Sequence, residues 1–266
     1  RAQHPESAGA VVEGIDFRVY DAKGRSKSFA DILAALDDSD VQRLETLIAQ
    51  SQPTGISKDL INEGDAPHFV HIMASGTACR YKHLPDGRRA ITALLLPGDF
   101  CDLHVSILGS MDHSIGALTD CEVRRVSPEM IHSLLAESPN IERACRWATL
   151  VDEAILREWI VNVGRRSSEQ QLAHLFCELY VRLSCVGLTD NFTFRMPFTQ
   201  VTLGDLLGLS SVHVQRTIRS LREADLISLQ DRSIRLLDYR ALAELGEFDP
   251  GYLHLDRHET ANRAHL

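Results

Sequence analysis

The stretch at 199–226, TQVTLGDLLGLSSVHVQRTIRSLREADL, constrains the fold more than any other part of this chain. It reads as two short helices joined by a tight turn. Leu203, Leu206 and Leu207 recur at helical spacing and give the first helix an apolar face. Gly208 follows, where a turn needs a positive φ that a side chain resists. Ser210 can cap the second helix, because its hydroxyl accepts an orphan backbone N–H of the first turn. Val214, Ile218 and Leu221 then form that helix's inward stripe.

The outward face of the second helix carries Ser211, His213, Gln215, Arg216, Arg219 and Arg222, with no carboxylate before Glu223. Arginine pairs in bidentate fashion with guanine, glutamine with adenine, and further arginines clamp phosphates. A solvated helix face usually mixes charge signs. Three arginines without acidic partners therefore favour a nucleic-acid surface over an ordinary helix pair. Next, ISLQDRSIRLL at 227–237 holds two β-rich runs around the turn Gln230-Asp231-Arg232, a small hairpin beside the helices.

Taken together, Thr199 opening the first helix, Leu-Gly-Leu-Ser at 207–210, Val214-Gln215-Arg216 in the second helix and the hairpin resemble a winged helix-turn-helix. The module resembled is that of the Crp–Fnr superfamily of bacterial transcription regulators, and the resemblance runs over roughly 30–253. It implies a homodimer on double-stranded DNA, with reading helices ~34 Å apart over a near-palindrome, and RNA polymerase as a further partner. Arg216 matches the family's reading arginine. Val212 stands where many members carry a glutamate, and would meet a thymine methyl rather than cytosine N4. Gln215 is expected at a neighbouring adenine, and Thr199, Gln200 and Arg219 at phosphates. Ser210, Ser211 and His213 complete the expected DNA surface.

Upstream, 1–27 is polar and irregular and is expected to be a mobile extension, although VVEGIDFRVYD could form a strand pair. Apolar spacing predicts a helix over 29–48, broken and recapped at Asp37-Asp38-Ser39-Asp40. From 52 to 127 short apolar runs alternate with turn residues, which predicts a sandwich or barrel-like roll. A helix over 128–137 closes it. The next helix, from Pro139 to Gly164, has too many apolar residues for one face: Ala144, Cys145, Ala148, Leu150, Val151, Ile155, Leu156, Trp159, Ile160 and Val163. A helix apolar on two sides serves two partners, here the roll and a second copy of the chain. The fold expected is α+β: a sensor β-roll of jelly-roll type at 28–138, a long dimerisation helix at 139–165, a winged helix-turn-helix at 166–246 and a tail at 247–266.

Within the roll, ASGTACRYKHLPDGRRAITALLLPGDF resembles the family's sensor hairpin. Members that bind cyclic AMP follow its Pro-Gly-Asp-Phe turn with Gly-Glu for the ribose and Arg-Ser for the phosphate. This chain has Asp102-Leu103 and His113-Ser114 there. Leu103 cannot accept a ribose hydroxyl, and a partly charged His113 replaces a bidentate clamp poorly. Only Ser114 matches. Cyclic AMP is not expected as the effector, and the residues name no other. A ligand in the roll is expected to meet Asp102, Leu103, His113 and Ser114, and Leu156 and Arg157 of the long helix. Cys101, His104 and His113 also lie close in sequence, which suits a haem or metal site, or else a buried thiol beside locally bonded histidines. The second reading is preferred. The family's iron–sulfur branch needs a cysteine cluster near the N-terminus, and none precedes Cys79.

A net charge of −9 argues against a protein that coats nucleic acid indiscriminately, and leaves room for a local basic face. Six scattered cysteines without a C-x-x-C pair fit a reduced, cytoplasmic setting, and no run approaches a membrane span. No feature points to catalysis. Two other readings stay open: a small-molecule or metal-binding roll with weak DNA binding, and a cupin-like metal enzyme using His68, His71, His104 and His113.

Overall fold

The computed structural model describes residues 11–12, 15–16, 36–103, 107 and 109–255. The helix start before Leu36, His104 and the chain beyond Leu255 lie outside the described residues, as does most of the expected extension. Val11–Val12 (β1) and Ile15–Asp16 (β2) form an antiparallel pair, as the sequence allowed.

The first described helix, α1, spans Asp38–Gln50. Its start is dictated by a reciprocal box. The Asp37 carboxylate accepts the Asp40 N–H at 2.9 Å, and the Asp40 carboxylate accepts the Asp37 N–H at 3.3 Å. Asp40 is itself buried and anchors the next corner, accepting from the Ser138 hydroxyl and from Asn140 Nδ2.

Seven strands build the roll: β3 (Gln52–Ile56), β4 (Asp59–Ile61), β5 (Val70–Ser75), β6 (Ala78–His83), β7 (Arg89–Leu95), β8 (Ser114–Ala117) and β9 (Cys121–Val126). They form two antiparallel sheets, ordered β3-β9-β5 and β4-β8-β6-β7. Met73, Leu95, Ile115 and Val123 fill the space between them. The second sheet buries its outer face too. Cys79, Tyr81, Ile91 and Leu94 point away from the roll interior into a larger core shared with the C-terminal half. This is why RAITALL reads as a nearly continuous apolar run rather than as a strict alternation.

Pro128–Glu137 (α2) leads through the buried Ser138, which caps the 27-residue helix Pro139–Arg165 (α3), ~40 Å long at 1.5 Å per residue. Ser168–Cys185 (α4) follows, with a second reciprocal box between Ser167 and Gln170. Short strands Thr189–Asp190 (β10) and Thr193–Arg195 (β11) precede the helix pair Gln200–Leu207 (α5) and Ser211–Glu223 (α6). The hairpin Ile227–Gln230 (β12) and Ser233–Leu236 (β13) extends them into one sheet, ordered β10-β11-β13-β12. Its turn is tighter than the sequence suggested. Gln230 already pairs with Ser233, leaving Asp231 and Arg232 at φ 50° and 59°, as a two-residue hairpin loop demands. Helix α7 (Tyr239–Leu245) and a 3-10 turn at Pro250–Leu253 close the described chain, the turn lying on α3. None of the described helices is long and apolar enough to cross a membrane.

Candidate nucleic-acid interface and effector pocket

Helix α5 begins at Thr199, whose hydroxyl accepts the Thr202 N–H at 3.1 Å, and ends at Gly208 in the left-handed region at φ 68°. A second glycine makes the pair compact. A Cβ on Gly204 would sit 2.5 Å from the Leu209 carbonyl oxygen, so only glycine lets the two helices meet at this angle. Ser210 caps α6 by accepting the His213 N–H at 3.2 Å. Val214, Thr217 and Leu221 are buried beneath α6, with Ile218 half-buried. The remaining phase of the helix faces outward.

On that outward face Val212, His213, Gln215, Arg216 and Arg219 are exposed, Ser211 is half-buried, and no acidic residue lies in the first turn. Gln200 is exposed at the start of α5. Two of the expected contacts are modified by neighbours, one a helical turn away and one distant in sequence. Arg219 has an acidic partner after all: its Nε lies 2.7 Å from Glu223 Oε1, one turn on. His213 Nε2 lies 3.0 Å from Ser168 Oγ at the start of α4, so it braces the helix as well as facing solvent. Among the described residues Arg216 has no side-chain partner, and its guanidinium is exposed.

The second candidate region lies where the turn at 97–103 meets α3, α4 and the final residues. A cavity of about 320 Å3 opens there. Asp102, Leu103 and His113 line it, as the sequence suggested, but three expected residues do not. Ser114 points away and accepts the Glu63 N–H at 2.9 Å. Leu156 and Arg157 sit on the exposed face of α3, because the helix turns Ala148, Val151, Asp152 and Ile155 toward the cavity instead. The outward side of α3 carries Leu156, Ile160 and Val163 at heptad-like spacing, with Ile160 73% exposed.

Of the metal-site candidates Cys101, His104 and His113, His104 lies outside the described residues. Cys101 is fully buried, and burial pushes its thiol well above its ordinary value. His113 Nδ1 is 2.6 Å from Asp112. His71 is buried against Asp102, with Nδ1 3.2 Å from Oδ2, while His68 is exposed. Among the described residues no three His, Cys, Asp or Glu side chains are grouped to hold a metal ion. Burial likewise pushes the thiols of Cys79 and Cys145 up to about 11 and that of Cys177 to about 12, which makes them core residues rather than nucleophiles.

Sequence reading missed the polar hub that joins the two halves. Glu178 on α4 is fully buried, yet accepts from Trp159 Nε1 at 3.0 Å, from the Tyr252 hydroxyl at 2.8 Å and from Arg182 at 3.2 Å. Arg182 reaches on to the roll, donating to the Leu94 carbonyl at 2.9 Å and to Asp99 at 3.1 Å. Nearby, Arg89 of β7 meets Asp205 of α5 at 2.9 Å. The Glu178–Arg182 spacing was the one local signal. The other pairs are 19 to 116 positions apart and left none.

A β-roll joined through a long helix to a winged helix-turn-helix defines the class: a sensor-type domain coupled to a DNA-binding module. Comparison with known proteins agrees. Residues 58–138 match the cyclic nucleotide-binding domain, and residues 170–245 the Crp-like helix-turn-helix domain. The transcriptional activatory protein AadR of Rhodopseudomonas palustris is 30% identical over 209 residues, 78% of this chain and 85% of that protein. The transcriptional activator protein FnrL of Cereibacter sphaeroides is 26% identical over 230 residues, 84% of this chain and 90% of that protein. FixK2 from Bradyrhizobium japonicum shares the fold, with a TM-score of 0.66 at 23% identity over 73% of this chain and 96% of that one. The chain belongs to the Crp–Fnr family of DNA-binding transcription regulators.

Proposed function

We propose that this regulator acts as a homodimer that reads a near-palindromic operator with α6, without catalysis, in the cytoplasm and in contact with RNA polymerase. The observation that carries the reading is the exposed, cation-bearing face of α6, held outward by the Ser210 cap and the buried Val214 and Leu221. Arg216 is assigned to guanine, Gln215 to an adjacent adenine and Val212 to a thymine methyl. Thr199, Gln200, Ser210, Ser211, His213 and Arg219 follow the phosphates. The exposed Leu156, Ile160 and Val163 support a second copy packed along α3.

Cyclic AMP does not fit this reading. Leu103 offers no acceptor, and Ser114 is engaged by the Glu63 backbone. Selection of bound duplexes from a random pool with the unliganded protein, followed by a salt series, tests the proposal. A palindrome with half-sites about one helical turn apart is expected, with affinity falling steeply with salt. Enrichment of single, unpaired half-sites, or a monomer in sedimentation, would overturn the dimeric reading.

A further inference from the structure

The cavity beside the turn at 97–103 has walls and charges that specify what it can hold. Its volume, about 320 Å3, is at the small end of the range for organic ligands. Much of the wall is apolar, with Phe100, Met111, Trp147, Val151, Ile155 and Leu253 facing in. Two arginines also line it, which by composition alone would suggest an anion. Their hydrogen bonds argue otherwise.

Arg80 is nearly enclosed and bonded through all three nitrogens: Nη1 lies 2.5 Å from Asp152, while Nε and Nη2 donate to the carbonyls of Cys101 and Phe100, both at 3.1 Å. Arg182 is held by Asp99, Glu178 and the Leu94 carbonyl. Each guanidinium already faces a carboxylate and spends three of its five N–H donors on the protein. Asp99, Asp102, Asp112 and Asp152 also line the cavity, so among the described residues four carboxylates stand beside two arginines. The side chains of Asp99 and Asp152 keep 39% and 38% of their surface accessible, which leaves oxygens that can accept from a ligand. An anion entering here would displace an ion pair and meet the remaining carboxylates.

We propose that this cavity binds a non-anionic, largely apolar small molecule carrying hydrogen-bond donors, and that it does so at the seam between the sensor roll and the DNA-binding module. The inference deepens the regulator reading and rests on it for its consequence. Arg182, Val186, Leu253 and Leu255 come from the C-terminal half, whereas Phe100, Asp102 and Met111 come from the roll. An occupant therefore touches both halves at once, and biases how the module sits on the roll to the extent that it binds one arrangement better.

Calorimetric titration with three isosteric probes tests the site: 1-naphthylmethanol, the 1-naphthylmethylammonium cation and 1-naphthoate, with cyclic AMP as a fourth. The alcohol and the ammonium are expected to bind at least ten-fold more tightly than naphthoate or cyclic AMP. Ala148→Trp and, separately, Leu255→Trp should each weaken them at least ten-fold, with folding checked by circular dichroism. Asp152→Asn should narrow the preference for the ammonium over naphthoate. Equal or tighter binding of naphthoate or cyclic AMP overturns the proposal. So does millimolar indifference to every probe, or unaltered binding in both filled variants. Operator binding by the unliganded protein is scored in parallel. Its retention alongside failed probe binding sinks only the site, and its loss alongside intact probe binding sinks only the regulator reading.

Discussion

The reading helix α6 and the turn at 97–103 treat their polar groups in opposite ways. On α6 the side chains of Gln215 and Arg216 extend into solvent, the Arg219–Glu223 pair lies within the helix, and only the flank reaches α4, through His213 and Ser220. In the turn nearly every polar group is engaged across the fold. Asp99 accepts from the Leu96 N–H and from Arg182, Asp102 accepts from the His71 N–H, and the carbonyls of Phe100 and Cys101 accept from Arg80. The contrast separates a surface kept open for a large polar partner from a segment whose donors and acceptors hold the domains together.

The comparison can be broken most forcefully at the hub. Glu178→Ala removes the acceptor shared by Trp159, Tyr252 and Arg182 and leaves a buried guanidinium poorly matched, so stability should fall by ~3–5 kcal/mol in urea denaturation. Operator selectivity of the protein that still folds should be unchanged. Next in size is Arg216→Ala, which should weaken operator binding by ~1–3 kcal/mol and relax selectivity at one base pair without shifting the melting temperature. Unaltered selectivity would show that α6 does not dock as assigned.

Gly208→Ala forces a Cβ into a position at φ 68° and should cost ~1–2 kcal/mol in thermal or chemical unfolding. Its neighbour in sequence Leu209, half-buried against the core, keeps the turn in place meanwhile. Arg219→Ala should act more weakly still. All duplexes should bind slightly less well, with the salt slope reduced by about one, because the pair with Glu223 already competes for the guanidinium. A base-specific loss at Arg219 would move it from the phosphate side to the reading side.

A pH slope is the smallest expected effect. Burial, with Arg166 adding to it, holds His174 below the ordinary histidine value, while Glu178, the Gly246 carbonyl and Glu158 limit the depression. The unfolded chain therefore takes up the proton first. The stability contributed by neutral His174 is complete above ~6.5 and is lost as pH falls from there toward the lower folded value. Urea midpoints at pH 7.5 and 5.5 should differ more for the native chain than for His174→Gln. An equal difference would place the titration elsewhere.

How much of this was legible follows from how far apart the interacting groups lie. Thr199, Gly208 and Ser210 act within a few residues of themselves, so their caps and the αL turn could be read from the chain alone. The box at Asp37 and Asp40 is equally local. Reading failed where the partner lay elsewhere. Sequence proximity left two readings open for Cys101, His104 and His113, and the fold was needed to show Cys101 buried and His113 beside Asp112. Family position suggested Leu156 and Arg157 for the pocket, yet the phase of α3, fixed by packing Ile155 and Trp159 into the core, turns them outward.

By itself, then, the sequence determined the elements, the phase of α6 and the departure from a cyclic-nucleotide turn, because periodicity, capping and side-chain chemistry operate over one to four residues. Only the tertiary structure decided that Arg80 and Arg182 are already matched and that the tail brings Tyr252 to Glu178. It also decided that the outer face of β6 and β7 is the floor on which the DNA-binding module rests. Those contacts join segments far apart in the chain, and whether a buried charge is answered depends on what the fold brings beside it.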